Sequence, residues 1–166
     1  MIELMSLSEQ VDKEFAVARR KARLRGLSRR LGRANGAGTL LSFDEARRSA
    51  GAYGGLRRGR RVVEVCRIVG SAGKHGQFDD RFMPLRSASP ERWKRIDRAY
   101  RGGMDLPPVS LYGIDGDYFV QDGHHRVSVA RFHGAEWIDA EVTEFRSSRR
   151  PGAADGGSRV PAGPTP

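Results

Sequence analysis

One cysteine, Cys66, is all that the 166-residue chain contains. That excludes an intrachain disulfide and a cysteine-built zinc knuckle, so cytoplasm is the expected location. Cys66 lies within an apolar strand pattern, where a buried, inert thiol is expected. Long apolar runs are absent as well. No stretch approaches the roughly 20 residues that span a bilayer, and Met1-Ile-Glu-Leu-Met-Ser-Leu-Ser8 lacks the basic-then-apolar order of a secretion signal. Acids are scarce at the start: residues 1–61 hold 15 Lys/Arg against 6 Asp/Glu, whereas residues 62–166 hold 15 against 14. Nearly all of the formal net charge of +10 is therefore N-terminal, and any attraction to a polyanion is expected there and not in the body.

What the chain does have is a clear succession of elements. Val11, Phe15, Ala18, Ala22, Leu24, Leu27 and Leu31 recur at three- and four-residue steps, so a helix is expected over residues 9–31. Its other faces carry Arg19, Arg20, Lys21, Arg23, Arg25, Arg29 and Arg30, a density of like charge that an anion would relieve. These seven are the candidate nucleic-acid contacts, with residues 1–35 as the contacting region. An anionic membrane surface and a plain solvated face are the other readings. No aromatic residue is interleaved among them for base stacking. Residues 32–39 read as a Gly-rich connector. Ser42-Phe-Asp-Glu45 fits a capping box with Gly51 or Gly54 as the stop, and residues 62–69 read as the first strand.

Residues 70–86 form a polar loop of the kind that carries sites, but Ile68 and His75 stand where a Walker loop needs Gly and Ser or Thr. Ser89, Pro90 and Gly102-Gly103 bracket a helix whose Trp93, Ile96 and Tyr100 read as core. Asp115-Gly116 suits the tight turn of a hairpin. The hairpin's second strand runs through Asp122-Gly-His-His-Arg126 into a helix ending near His133 and Gly134, and residues 137–145 alternate as a last strand. Three regions follow: a basic helical part (1–60), a folded body (61–145) and a tail (146–166) rich in Gly, Pro and Ser that is expected to be disordered.

The strand-to-helix junction is the candidate site. A helix start presents unpartnered N–H groups and a partial positive charge. Gly123 lets an anion approach the main chain, Arg126 supplies a two-pronged cation, and His124 and His125 can move protons near neutral pH. The alternative is a plain cap in which Asp122 accepts from the backbone and the histidines are solvated.

The order of elements, with Leu106-Pro-Pro-Val-Ser-Leu-Tyr112 and Tyr118-Phe-Val-Gln-Asp-Gly-His-His-Arg-Val-Ser-Val-Ala130, resembles the ParB/sulfiredoxin-like superfamily, in particular its compact ParB-like nuclease domains, over residues 61–145. The resemblance implies a bacterial protein with an α+β fold, a small mixed sheet with packed helices. It also implies a nucleoside triphosphate or other phosphate ligand, accompanied by magnesium where Asp122 contacts it. Against the sulfiredoxin turn Gly-Gly-Cys-His-Arg, His125 and Arg126 match the phosphate-contacting pair, but His124 replaces the catalytic cysteine, so sulfinic-acid reduction is not expected. Against the chromosome-partitioning turn Gly-Glu-Arg-Arg-x-Arg, Gly123 and Arg126 match while His124, His125 and Ser128 depart. Asp122-Gly123-His124 is similar to the Asp-Gly-His turn of free-serine kinases.

The expectation is thus a protein that binds a phosphate compound through Asp122, Gly123, His125 and Arg126, faced by Gly70, Ser71, Lys74, His75, Arg81 and Pro84. DNA or RNA contact would come through the basic helix. Two alternatives stand beside it. One is an enzyme, a metal-dependent nuclease or phosphodiesterase or a phosphotransferase, with His124 and His125 as catalytic candidates. That enzyme would gather Asp122, His124, His125 and His75 around a divalent ion, but adjacent helical residues diverge by roughly 100°, which disfavours a shared ion, so no metal ligands are assigned. The other is a non-enzymatic nucleic-acid-binding or scaffold protein.

Overall fold

The structure, a computed structural model, describes residues 6–30 and 38–148. Leu31, most of the expected connector and residues 149–166 lie outside the described part. The elements are α1 (Leu7–Arg30), β1 (Leu41–Ser42), α2 (Phe43–Ala50), β2 (Tyr53–Glu64), a 3-10 turn (Val65–Arg67), β3 (Ile68–Ser71), α3 (Pro90–Arg101), β4 (Val109–Ile114), β5 (Asp117–Asp122), α4 (His124–Phe132) and β6 (Trp137–Arg146). Six strands make one mixed sheet in the order β1-β3-β5-β4-β6-β2. The β4–β5 and β6–β2 pairs are antiparallel, and the β1–β3, β3–β5 and β4–β6 pairs are parallel. The α+β class expected from the sequence is the class observed.

Local chemistry sets the ends of these elements. Ser42 Oγ accepts from Glu45 N–H at 3.4 Å, and Gly51 closes α2 in the left-handed region. Ser89 caps α3 by accepting from Arg92 N–H at 3.3 Å, with Pro90 next. Asp115 and Gly116 take φ of 52° and 89°, the two positive angles that a type I′ hairpin turn requires. A capping box that the expected start at residue 9 overlooks opens α1: Ser6 N–H donates to Glu9 Oε2 at 2.9 Å, and Glu9 N–H donates to Ser6 Oγ at 3.3 Å.

Alternation along the strands divides the core between the two faces of the sheet. On one face Val109, Leu111, Val120, Ala140 and Val142 pack with Val127 of α4 and with Phe78 and Phe82 of the long loop. On the other, Ile114 and Phe119 pack against Phe43, Ala50 and Ala52 at α2. A third cluster joins helices to helices, with Phe15, Ala18 and Ala22 of α1 against Trp93, Val129 and Met83.

Four readings need correction. Leu24 and Leu27, expected on the greasy stripe, are 50% and 55% exposed. Beyond Ala22 the inward side of α1 is taken by Arg25 and Arg29, which donate to Asp79 and Asp80. The strand expected at residues 62–69 is two strands broken by the 3-10 turn, and the first begins at Tyr53. Its arginines are matched across the ladder, Arg58 with Glu144 at 2.7 Å and Arg60 with Asp139 at 2.8 Å. Cys66 is exposed and not buried, because the turn lifts it out of the sheet. Tyr100, read as core beside Trp93, is 39% exposed and stacks on His133 with ring centroids 4.9 Å apart.

Candidate functional site

Gly123 carries the turn from β5 into α4 at φ 97° and is the N-cap of α4, with no side chain bonding to the helix start. Asp122, the cap of the alternative reading, is held by Arg126 Nη2 at 2.8 Å. The first N–H groups of α4 are thus left to solvent or ligand. The loop after β3 folds over this end. Ser71 Oγ accepts from Gly73 N–H at 3.1 Å and Lys74 N–H at 2.9 Å, and it lies 2.7 Å from His124 Nε2. A hydroxyl that already accepts twice has its proton to give, so Nε2 is the acceptor and the ring proton sits on Nδ1. Lys74 is brought to α4 by this tie.

Both turn histidines are buried, His124 3% and His125 9% exposed, and both rings meet Phe78, with centroids 6.1 and 5.2 Å away. Burial pushes His124 down to about 4, with Lys74 adding to the effect and Asp122 opposing it. His125 is pushed to about 4 by burial first, then by the positive charges of Lys74, Arg92 and Arg95. Both imidazoles are therefore neutral at pH 7. His75 is half-buried near them, and the Nδ1 atoms of His75 and His125 are buried without a partner. Among the described residues no carboxylate lies within 4 Å of Lys74, Arg92 or Arg95.

Arg126 is placed differently from the expectation. Its Nη1 donates to the carbonyls of Pro107 and Pro108, the latter at 2.8 Å, and with Asp122 on Nη2 the guanidinium is largely used up within the protein. It borders a cavity of about 230 Å³ with Met104, Leu106, Pro107 and Trp137, away from the two histidines. Three residues expected on the facing wall also stand elsewhere. Gly70 is required by the sheet, since a Cβ there would meet Leu41 O at 2.3 Å. Arg81 is exposed and acts on Arg131, and Pro84 is buried beneath α1. Ser71, Lys74 and His75 do join Gly123, His124 and His125. Arg92 and Arg95 lie outside the sequence-based expectation, because the apolar face of α3 accounts for that helix as structure; their i,i+3 spacing is the one signal of them in the sequence.

Of the seven candidate contacts on α1, Arg25 bonds Asp79 at 2.6 Å and Arg29 bonds Asp80. Lys21 lies over the Phe132 ring at 4.9 Å and Arg19 over Phe15 at 5.7 Å. Arg20, Arg23 and Arg30 make no ion pair among the described residues. Asp122, His124, His125 and His75 do not form a metal-ligand set. The described group with that geometry is Glu14, Asp97 and His133, and Arg101 already supplies its positive charge by donating to Glu14. His133, expected to be structural, sits 2.6 Å from the buried Asp97, whose own pKa is raised by burial against the opposing effect of that bond.

No family model matches this chain, and no curated protein matches it. Among solved structures, a sulfiredoxin from Arabidopsis thaliana is similar at 17% identity over 52% of this chain and 86% of its own, with a TM-score of 0.40. That likeness concerns the fold alone. Among the described residues no helix is long and apolar enough to cross a membrane.

Proposed function

We propose that this protein binds a phosphate-bearing small molecule, a nucleoside phosphate by its ParB/sulfiredoxin-like resemblance, at the start of α4. One observation carries the reading: Ser71 ties the Lys74 backbone to His124 at a helix start without a side-chain cap, and Lys74, Arg92 and Arg95, which have no carboxylate partner among the described residues, all help to lower the pKa of His125. Cations without counter-charge are relieved by an anion, and a helix start without a side-chain cap offers that anion directional N–H partners. His75 and His125 each keep a buried ring nitrogen without a hydrogen-bond partner beside these cations. Asp122 is the exposed carboxylate at this turn, and a magnesium ion carried by a triphosphate would compete there with Arg126.

Binding is favoured over turnover. His124 Nε2 is engaged by Ser71, and both histidines lie under Phe78, so neither ring is placed as an accessible proton carrier.

Thermal unfolding with nucleoside mono-, di- and triphosphates and with pyrophosphate tests the reading. A ligand at about 100 times its Kd stabilises by about 2.7 kcal/mol, a shift of several degrees, and Lys74→Ala with Arg95→Ala should remove it. If no phosphate compound shifts the wild-type transition, or if the double variant responds as the wild type does, the assignment is wrong.

A further inference from the structure

A groove of about 740 Å³ runs between α1 and the segment that follows Phe82, with Arg19, Arg20 and Arg23 on the helix side, Arg86 on the other and Ala16 and Pro84 between them. It is separate from the start of α4 and shares no residue with that site. Charge is distributed unevenly around it. The loop's own acids, Asp79 and Asp80, are consumed one and two turns further along α1 by Arg25 and Arg29. Among the described residues no carboxylate lies within 4 Å of Arg19, Arg20, Arg23 or Arg86. The same loop therefore fixes α1 in place and leaves Arg19, Arg20, Arg23 and Arg86 lining one concavity without counter-charge, Arg19 with its guanidinium over the Phe15 ring.

We propose that this groove binds the phosphate backbone of double-stranded nucleic acid without reading its sequence. Guanidinium groups match phosphate oxygens two at a time, and four of them along a channel suit successive phosphates of one strand. Phosphate contacts hold a duplex in position and carry no base information. No aromatic side chain lines the groove, so it offers no platform for stacking the bases of a single strand. Exposed Leu24 and Leu27 beside the arginines raise the comparison with a membrane-surface helix. A concavity walled by Arg86 on its far side suits a protruding strand better than a flat bilayer. The small Ala16 side chain and Pro84 leave the space between the basic walls open. The seven basic residues suggested by sequence are thus reduced and re-sorted: Arg25 and Arg29 serve the fold, and Arg86, distant in the chain, joins the groove.

Fluorescence anisotropy of a labelled duplex of about 20 base pairs, titrated at several salt concentrations, tests the proposal. Arg23→Ala/Arg86→Ala should weaken binding at least about tenfold near 100 mM salt and lower the slope of log K against log salt by about 2, roughly 1 for each phosphate that is no longer neutralised. An Arg48→Ala/Arg61→Ala protein removes the same net charge elsewhere and should bind as the wild type does, and two duplexes of different sequence should bind alike. None of these four arginines has an ion pair among the described residues, and an unchanged unfolding transition confirms that the variants are folded. The proposal is overturned if the two double variants behave alike. Stronger binding to an oligo-dT single strand, or to phosphatidylserine vesicles, than to duplex overturns it too. Phosphate-induced thermal stabilisation should persist in Arg23→Ala/Arg86→Ala, so failure here is distinguishable from failure of the site at α4.

Discussion

Gly123 is the residue on which the candidate site turns. Its φ of 97° is unfavourable for any other residue, and an added Cβ would stand 2.7 Å from Val109 Cγ1 and 3.0 Å from Val109 Cβ. Val109 is wholly buried and has no room to withdraw. Gly123→Ala should therefore cost about 2 kcal/mol or more, combining backbone strain with a clash, and urea unfolding measures it as a lower midpoint at constant m. The two turn histidines make a second prediction at this scale. Each has a folded pKa of about 4, below the ordinary 6.5, so between those values the unfolded chain binds more protons than the folded one. Stability should be constant above about pH 6.5 and fall as pH drops from there towards 4. Replacing His125 with Gln should flatten that slope in a series of melting curves, and an equally steep slope in the variant would mean that other groups carry it. Arg126 shows what the sequence left hidden. A guanidinium four residues after Asp122 reads as a ligand contact, but the carbonyls of Pro107 and Pro108, which have no helix or strand partner of their own, compete for it and win. Arg126→Ala is accordingly expected to lower the baseline melting temperature by loosening the Pro107–Pro108 segment, while a phosphate-induced shift survives.

At the scale of elements, the regular pieces were legible because each announces its own ends. Ser42, Ser89, Asp115-Gly116 and Gly51 act within a few residues of where they stand, so their roles follow from short-range chemistry. The long loop between β3 and α3 was not legible as structure, since what organises it is one aspartate bonded to distant and local partners at once. Asp79 is 1% exposed; its Oδ1 accepts from the N–H groups of Arg81 at 3.0 Å and Met83 at 2.8 Å, and its Oδ2 accepts from Arg25 of α1. Arg25 lies 54 positions before it, and no local pattern links the two. Removing a buried, fully paired carboxylate strands every donor around it, so Asp79→Ala should cost about 3–5 kcal/mol. The half-exposed Arg25 permits a milder result on the other side: Arg25→Ala should cost less, since water can reach the vacated space. Hydrogen exchange separates the two outcomes, with Asp79→Ala deprotecting the loop amides and α1 together and Arg25→Ala deprotecting mainly α1. Equal protection in both variants would remove Asp79 from this role.

For the molecule as a whole, the question is whether the basic N-terminal helix is an attachment or part of the cooperative fold. Charge partition suggested the first view, because Lys and Arg crowd residues 1–61 and acids do not. Packing argues the second. Phe15 is 6% exposed with its ring centroid 5.5 Å from that of Trp93, which is itself wholly buried and donates from Nε1 to the buried Ser128 of α4 at 2.9 Å. α1 thus covers the residue that ties α3 to α4, and α4 carries the candidate site. The arginines of β2 make the same point across the sheet: they precede the strand expected at residues 62–69, yet Glu144 and Asp139 pair with Arg58 and Arg60 from 86 and 79 positions away. Total charge by segment misses such matching, because it counts residues without knowing which strands lie side by side. If α1 belongs to one cooperative unit, Phe15→Ala should cost about 3–5 kcal/mol through the cavity left over Trp93. Far-ultraviolet dichroism, near-ultraviolet dichroism and tryptophan fluorescence should then move to lower temperature together in a single transition. A variant in which helical signal is lost early while the remaining probes keep the wild-type midpoint would instead make α1 a separately melting attachment, and the basic groove between α1 and the loop would form independently of the site at α4.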